Sequence, residues 1–507
     1  MDNKTKKIAQ NTIFMTLRMF FLLIVTFFMS RVVLDKLGVE DYGIYNLISS
    51  LALSFTFFSS ALTNATQRFI TIELAKQNIK AASAVFNQHL LVYTIISVVI
   101  IVIAEVVGIW MINTELSIPD SRIWATHIVY QFAILTVVVS LLSIVFESLI
   151  ISHEDMKIYS YVGVIEGVLK LGVAYAIIVS PIDKLIFYSA LMALIFLLSR
   201  IVYVGYCFKH YEECFLQKVW NKALIQKTSK FIGWNVLSTA QVAICDQGIS
   251  ILLNMFFGPI ANAARGITSQ VGGAVFKFVN SFLIAAQPQI VKSYAQNDTS
   301  YLKGLFYSTS RLSYVVLWLF VCPIVVAAEE ILAIWLVDVP KWTADMVRIS
   351  LIGSCFYVLS KPIWFIIIAD GRLKKYTLVS STVAFMLFPL SYVALKMGYD
   401  PVSVYILSTV LHGLNIFFQL HVLREYVDIS YFIYAKSVIG RIFLMSMVSY
   451  LSCSLLYCPQ SYDISAFINI VCITLLNAFI VFATGLTNNE RNIVFSKVEK
   501  ILRKKNE

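Results

Sequence analysis

Long apolar runs dominate this chain and decide what it can fold into. About fourteen stretches lie near 11–33, 43–66, 88–112, 125–151, 158–180, 185–207, 231–257, 261–287, 304–328, 346–369, 376–395, 402–422, 437–457 and 464–486. Each comes close to the roughly 20 apolar residues that a helix needs to cross a bilayer. A backbone in hydrocarbon must satisfy its own hydrogen bonds, so runs of this length predict helices. Charged residues are only 14% of the chain and mean hydropathy is +0.79, against about a quarter charged in soluble proteins. The expected fold class is an all-α polytopic membrane protein with about 14 transmembrane helices. The basic start MDNKTKKIAQ leads into an apolar run reaching about Leu34. That exceeds a signal core of about 7–15 residues and no small-residue cleavage site follows, so a retained first helix is expected.

Fourteen spans place both termini on one side. That side carries 25 of the Lys and Arg residues, and the other carries five: Lys36, Arg122, Lys184, Lys341 and Lys396. The bias predicts cytoplasmic termini in a bacterial inner membrane protein. It also accounts for the net charge of +11 without nucleic acid, since no soluble basic domain is present. Cys207, Cys245, Cys322, Cys355 and Cys472 fall in apolar spans, where a thiol packs as a small hydrophobe. No spacing suggests a metal or redox site.

The chain repeats itself. IISHEDMKIY at 150–159 and IIADGRLKKY at 367–376 are offset by 217, with Ile150/Ile367, Ile151/Ile368, Lys157/Lys374 and Tyr159/Tyr376 identical. A second echo has offset 220: Gly38/Gly258, Ala65/Ala285, Gln67/Gln287 and Ile70/Ile290. Both map spans one to six onto spans seven to twelve. The expected organisation is an N-terminal six-helix bundle over 1–207, a cytoplasmic linker over 208–230 and a second six-helix bundle over 231–422. Two additional helices over 437–486 and a basic tail over 487–507 follow. An even number of spans per copy predicts pseudo-two-fold symmetry about the membrane normal.

Three segments carry a family resemblance: SRVVLDKLGVEDYGIYNLISS, ALTNATQRFITIELAKQN and AAQPQIVKSYAQND. With the helix count and the repeat, they resemble the Wzx-type polysaccharide and O-antigen flippases of the multidrug/oligosaccharidyl-lipid/polysaccharide exporter superfamily. The resemblance implies passage of an undecaprenyl-diphosphate-linked oligosaccharide from inner to outer leaflet by alternating access, for cell-surface polysaccharide or lipopolysaccharide synthesis. Expected partners are the lipid-linked oligosaccharide, membrane lipids and other polysaccharide-assembly proteins.

A Lys or Arg at a helix centre costs roughly 2.5–3.5 kcal/mol on insertion scales, so such residues tend to face protein or water. Arg18, Arg31, Lys170, Arg265, Lys277, Arg311 and Lys361 are candidates for such positions. Arg31 and Arg265 lie near span ends, and Arg18 and Arg311 lie about seven residues in, so snorkelling competes with a cavity role. Lys170 has Glu166 one turn earlier, which predicts an ion pair. Lys277 and Lys361 are the least able to snorkel. A diphosphate leaving the headgroup region needs charge-assisted hydrogen bonds. The substrate-binding candidates are therefore Arg18, Arg265, Lys277, Lys361 and Arg311. The resemblance implies basic residues on helices one, two and eight; here span two contributes only Arg68, at its end.

Of the span acids, Asp246 is the candidate coupling-ion residue, with Asn235, Gln241 and Gln247 on the same span. Its competing assignment is a structural pair with Lys277. Span eleven has no acid to complete a cation site, so Na⁺ or H⁺ coupling stays open and no resident cofactor is expected. Glu105 and Glu147 lie near span ends, where solvent can reach them. Trp110, Trp124, Trp335 and Trp342 fit an interfacial aromatic belt. A multidrug cation antiporter of the same superfamily is the nearest alternative, but cationic drugs need an acidic cavity. A membrane polysaccharide polymerase would need a sizeable outer loop. The chain has neither that loop nor a P-loop, HExxH or nucleophile-elbow motif.

Overall fold

Every regular element of the computed structural model is helical among the described residues, which are 3–56, 59–153, 155–217, 222–457, 464–487 and 490–491. Side chains are described from Arg18 onward, apart from 222–244 and a few single positions. The helices are α1 (Asn3–Ser54), α2 (Ser59–Ala75), α3 (Ile79–Thr114), α4 (Ile123–Ser152), α5 (Met156–Ala176), α6 (Lys184–His210) and α7 (Lys222–Ala295). They continue as α8 (Thr299–Val326), α9 (Ala328–Trp335), α10 (Thr343–Asp370), α11 (Leu373–Phe385), α12 (Leu387–Lys396) and α13 (Val402–Leu423). The last are α14 (Tyr431–Tyr434), α15 (Gly440–Leu456) and α16 (Ile464–Ile480). Ten of the described helical stretches are long and apolar enough to cross a membrane, or eleven if one bent pair counts as a span. This is fewer than the fourteen expected. α1 and α7 each run two expected spans together through a kink, and part of their length lies outside the described side chains.

Both kinks are glycines. Gly38 sits at φ 83°, ψ 166° and Gly258 at φ 70°, ψ −167°. That region is essentially closed to residues with a Cβ, so glycine lets the chain change direction without a loop. These are the first members of the echo at offset 220, and the spacing recurs at the next turn. Gln77 and Asn297 both have φ 56°. Asn78 then caps α3 by accepting from the Ala81 N–H, and Asp298 caps α8 by accepting from the Tyr301 N–H.

Two compact units divide the chain, Met1–Gly266 and Ile267–Glu507. The division falls inside α7. Residues before it pack on the first unit: the Ser117 N–H donates to Asn254 Oδ1 at 2.9 Å, Gly43 lies on the Pro259 backbone, and Ile251 joins the Ile44, Leu47 and Tyr130 cluster. The start of the expected linker is fixed as well. Asn87 Nδ2 donates to the Phe215 carbonyl at 2.7 Å, and the Gln217 N–H donates back to Asn87 Oδ1 at 2.8 Å.

In the first unit α4 packs on α2, α3 and α6, and α1 packs on α5. Lipid tails are as apolar as leucine, so such helices are joined by packing and by internal hydrogen bonds. The buried hydroxyls show this. Tyr93 Oη donates to the Leu62 carbonyl at 3.0 Å, His89 Nδ1 meets Thr66 Oγ1 at 3.0 Å, and Tyr130 Oη donates to the Ala104 carbonyl at 2.6 Å. Arg122 ties three turns at one end, pairing with Asp41 and, at 2.6 Å, with Asp183. Asp183 also caps α6 through the Leu185 and Ile186 N–H groups. Trp110 and Trp124 point outward, 55% and 70% exposed, whereas Trp335 and Trp342 are half-buried.

In the second unit α10 packs on α8 and α13, and α15 and α16 dock on α8. Asn477 of α16 donates to the Leu319 carbonyl at 3.1 Å and accepts from Ser449 of α15. One π-helical turn precedes α15 (435–439) and another follows α16 (481–485); both lie against α8. Cys472 faces outward rather than packing, while Cys207, Cys245, Cys322 and Cys355 are buried.

Candidate functional site

A cavity of about 360 Å³ opens inside the first unit, at the small end of the range for ligand sites. α1 supplies Tyr45 and Ser49, α4 supplies Phe132, Thr136 and Ser140, α5 supplies Lys170, and α6 supplies Ser189 and Phe196. Among its lining residues Lys170 is the one charged group; the polar remainder are hydroxyls.

Lys170 belongs to a network. Its ammonium donates to Glu166 Oε1 at 2.6 Å, so the i,i+4 pair expected from sequence is formed. The other oxygen of Glu166 lies 3.8 Å from Arg200 of α6. Arg200 pairs with Glu147 of α4, which also accepts from Ser143 Oγ at 3.1 Å. The Arg200 guanidinium lies over the Phe196 ring at 4.5 Å and the Tyr203 ring at 5.3 Å. Glu147, expected to be solvated near a span end, is instead a partner in this half-buried network. Arg200 was missed as a site residue. Its signal was present: a lone arginine seven residues before the expected end of span six.

Arg18 of α1 approaches the same helix. Its guanidinium lies 4.4 Å above the Tyr159 ring, a cation–π contact. It also fills the space beside Gly163, where any Cβ would overlap it. Arg18 Nε is buried and has no hydrogen-bond partner among the described residues. Arg18 is therefore directed at the first turns of α5.

The other sequence candidates lie elsewhere. Arg265 donates to Asp246 Oδ1 at 2.7 Å, to the Asp246 carbonyl at 2.6 Å and to Ser250 Oγ at 2.7 Å. Asp246 thus pairs with Arg265, within the first unit. Asn235 and Gln241, expected beside it, lie outside the described side chains. Arg311 is 7% exposed and pairs with Glu490 of the C-terminal segment. A carboxylate from the chain itself is thus its partner in this structure. Lys361 donates to Tyr357 Oη at 2.7 Å and lies 4.4 Å from that ring and 5.8 Å from Phe276. Lys277 is exposed, with no partner for its ammonium among the described residues. Gln131 donates to Glu105 at 3.1 Å. Arg18 and Arg265 belong to the first unit, and Lys277, Arg311 and Lys361 to the second.

No family model matches this chain, and no curated relative does. Solved structures do match it. The lipid II flippase MurJ, in an inward closed conformation, aligns over 93% of this chain and 99% of its own, with TM-score 0.66 and 11% identity. An inward-facing multidrug resistance MATE family transporter of the MOP superfamily aligns over 80% of this chain and 94% of its own, with TM-score 0.66 and 12% identity. A MOP superfamily transporter from Pyrococcus furiosus, described as having a binding pocket of reversed polarity, aligns over 80% and 95% with TM-score 0.51 and 10% identity. At such identities the likeness is one of fold: this chain has the fold of the MOP superfamily transporters.

Proposed function

We propose that this protein is a Wzx-type flippase that carries a polyprenyl-diphosphate-linked oligosaccharide from the inner to the outer leaflet of the bacterial cytoplasmic membrane. Both termini are then cytoplasmic, the protein moves its substrate without chemical change, and polysaccharide-assembly proteins act before and after it. The observation that carries this reading is the lining of the cavity. Its charged lining group is the cation Lys170, set among hydroxyls and the Tyr45, Phe132 and Phe196 rings. No carboxylate is among the lining residues, Glu166 being engaged by Lys170 at 2.6 Å, whereas a diphosphate finds an ammonium and a sugar finds hydroxyls and aromatic faces. The whole-chain likeness to a lipid II flippase supports the same class. Multidrug export is the second reading, since MATE structures share the fold. A coupling Na⁺ or H⁺ at Asp246 would compete with Arg265 for one carboxylate.

The test uses purified protein in liposomes that contain a polyprenyl-diphosphate oligosaccharide. A membrane-impermeant sugar-modifying enzyme reports which leaflet holds the sugar. Protein-dependent movement is the expected result. Movement of a lipophilic cation, with none of the oligosaccharide, would establish the exporter instead.

A further inference from the structure

One face of α5 carries Tyr159, Gly163, Glu166 and Lys170, spaced i, i+4, i+7 and i+11. Arg18 covers the first two, and Glu166 holds Lys170 at 2.6 Å. The cavity's cation therefore arrives already bound to an anion. Lys170 and Arg200 are matched by Glu166 and Glu147, so this part of the network is neutral, and Arg18 is a cation beyond it.

We propose that Glu166 is a specificity residue, a built-in competing carboxylate that closes Lys170 to monoanionic phospholipids and yields it only to a diphosphate. The inference rests on the anionic-substrate reading of the cavity. A bare ammonium beside lipid would bind any phosphodiester, and bulk phospholipids vastly outnumber a lipid-linked intermediate. Glu166 competes from within the same helix at a high effective concentration. A phosphodiester offers one charge for that carboxylate's one and gains nothing by exchange. A diphosphate brings about two charges and can engage Lys170 together with a second cation. When Lys170 leaves, Glu166 keeps Arg200, 3.8 Å away, so the exchange strands no buried charge. Specificity here comes from an element that rejects the wrong ligand, not only from one that attracts the right one. Glu166 acts through Lys170 and need not touch the substrate.

The experiment measures binding of two soluble probes to the purified full-length protein: dimethyl phosphate, with one charge, and P1,P2-dimethyl diphosphate, with two. Movement of a fluorescent phosphatidylglycerol between leaflets is followed alongside. Glu166→Gln should lower the diphosphate-to-phosphate affinity ratio at least about fivefold, chiefly by tightening the monoanion, and should speed phosphatidylglycerol movement by a similar factor. Glu166→Asp keeps the charge and should keep most of the ratio. Lys170→Arg preserves every charge and so guards against a folding failure. Its fork holds Glu166 while leaving donors over, so the ratio should fall. An unchanged ratio in Glu166→Gln and Lys170→Arg, or an equal change for both probes, would overturn the proposal. Wild-type protein that moves no lipid-linked oligosaccharide, yet shows the expected ratio change, would remove the flippase reading and leave this one standing.

Discussion

The two repeats share their turns and differ in their charges. The positive-φ glycine, the residue at φ 56° and the side-chain cap recur between them at one offset, 220. The loop after the fourth helix of each repeat is also tied to the end of the sixth. In the first unit His153 pairs with Glu213 and stacks on Tyr211 at 4.1 Å. In the second the Tyr426 hydroxyl donates to the Arg372 carbonyl at 3.0 Å, and Lys375 pairs with Glu425. The interior cations follow no such rule. Lys170 opens on a cavity, whereas Arg311 is closed by the tail. Backbone devices are thus kept by geometry in both repeats, while charge placement is free to specialise.

Four experiments would break or sharpen that comparison. The largest effect is expected at Arg311. Removing one partner of a buried pair costs about 3–5 kcal/mol, so Arg311→Ala and Glu490→Ala should each lower the thermal midpoint markedly. The double variant should lose less than the sum, as a double-mutant cycle would show. Additive losses would mean that the pair does not couple. Next come the kinks. A Cβ at Gly38 meets open space and one at Gly258 only the Ser117 carbonyl oxygen at 3.9 Å, so backbone strain should set the cost of Gly38→Ala and Gly258→Ala, about 1–3 kcal/mol at each. Unequal losses in denaturation would show that the repeated kinks are not equivalent. Asn78→Ala and Asp298→Ala should then each cost about 1 kcal/mol through a lost cap, read by the same method.

The smallest effect is one of pH. Burial raises the Glu213 carboxyl, but the hydrogen bond and charge of His153 outweigh it, and the net pKa lies below the ordinary glutamate value. A depressed carboxylate stabilises the fold above its unfolded pKa and loses that contribution as pH falls through the folded one. Protection of the 211–217 amides, relative to their unstructured exchange rates at each pH, should therefore fall as the solution is acidified below the usual glutamate range. Protection unchanged through that range would contradict the assignment of the clasp to the Glu213 carboxylate.

Much of the fold was legible because its signals are local. Apolar length marks the spans, and the echo at offset 220 marks the kinks, since a glycine at positive φ leaves a trace in sequence. The Lys170–Glu166 pair was legible for the same reason, at i,i+4. The tertiary pairs were not. Arg311 finds Glu490 179 residues away, and Arg200 finds Glu147 53 residues away. No periodicity encodes such partners, so Arg311 looked like a substrate contact and Glu147 looked solvated. Arg265 likewise meets Asp246 across the Gly258 kink, 19 residues apart. Buried charges announce that a partner exists without saying which.

The most direct test sets two cations side by side. Oligosaccharide movement would be measured in liposomes for wild type, Lys170→Gln and the charge-swapped pair Arg311→Glu with Glu490→Arg, after matching folded protein by thermal midpoint. If the first unit's cavity holds the diphosphate, Lys170→Gln should slow movement at least about tenfold and the swapped pair should stay within about twofold of wild type. Wild-type rates in Lys170→Gln, with movement lost in the swapped pair, would contradict the cavity assignment and return the substrate to Arg311.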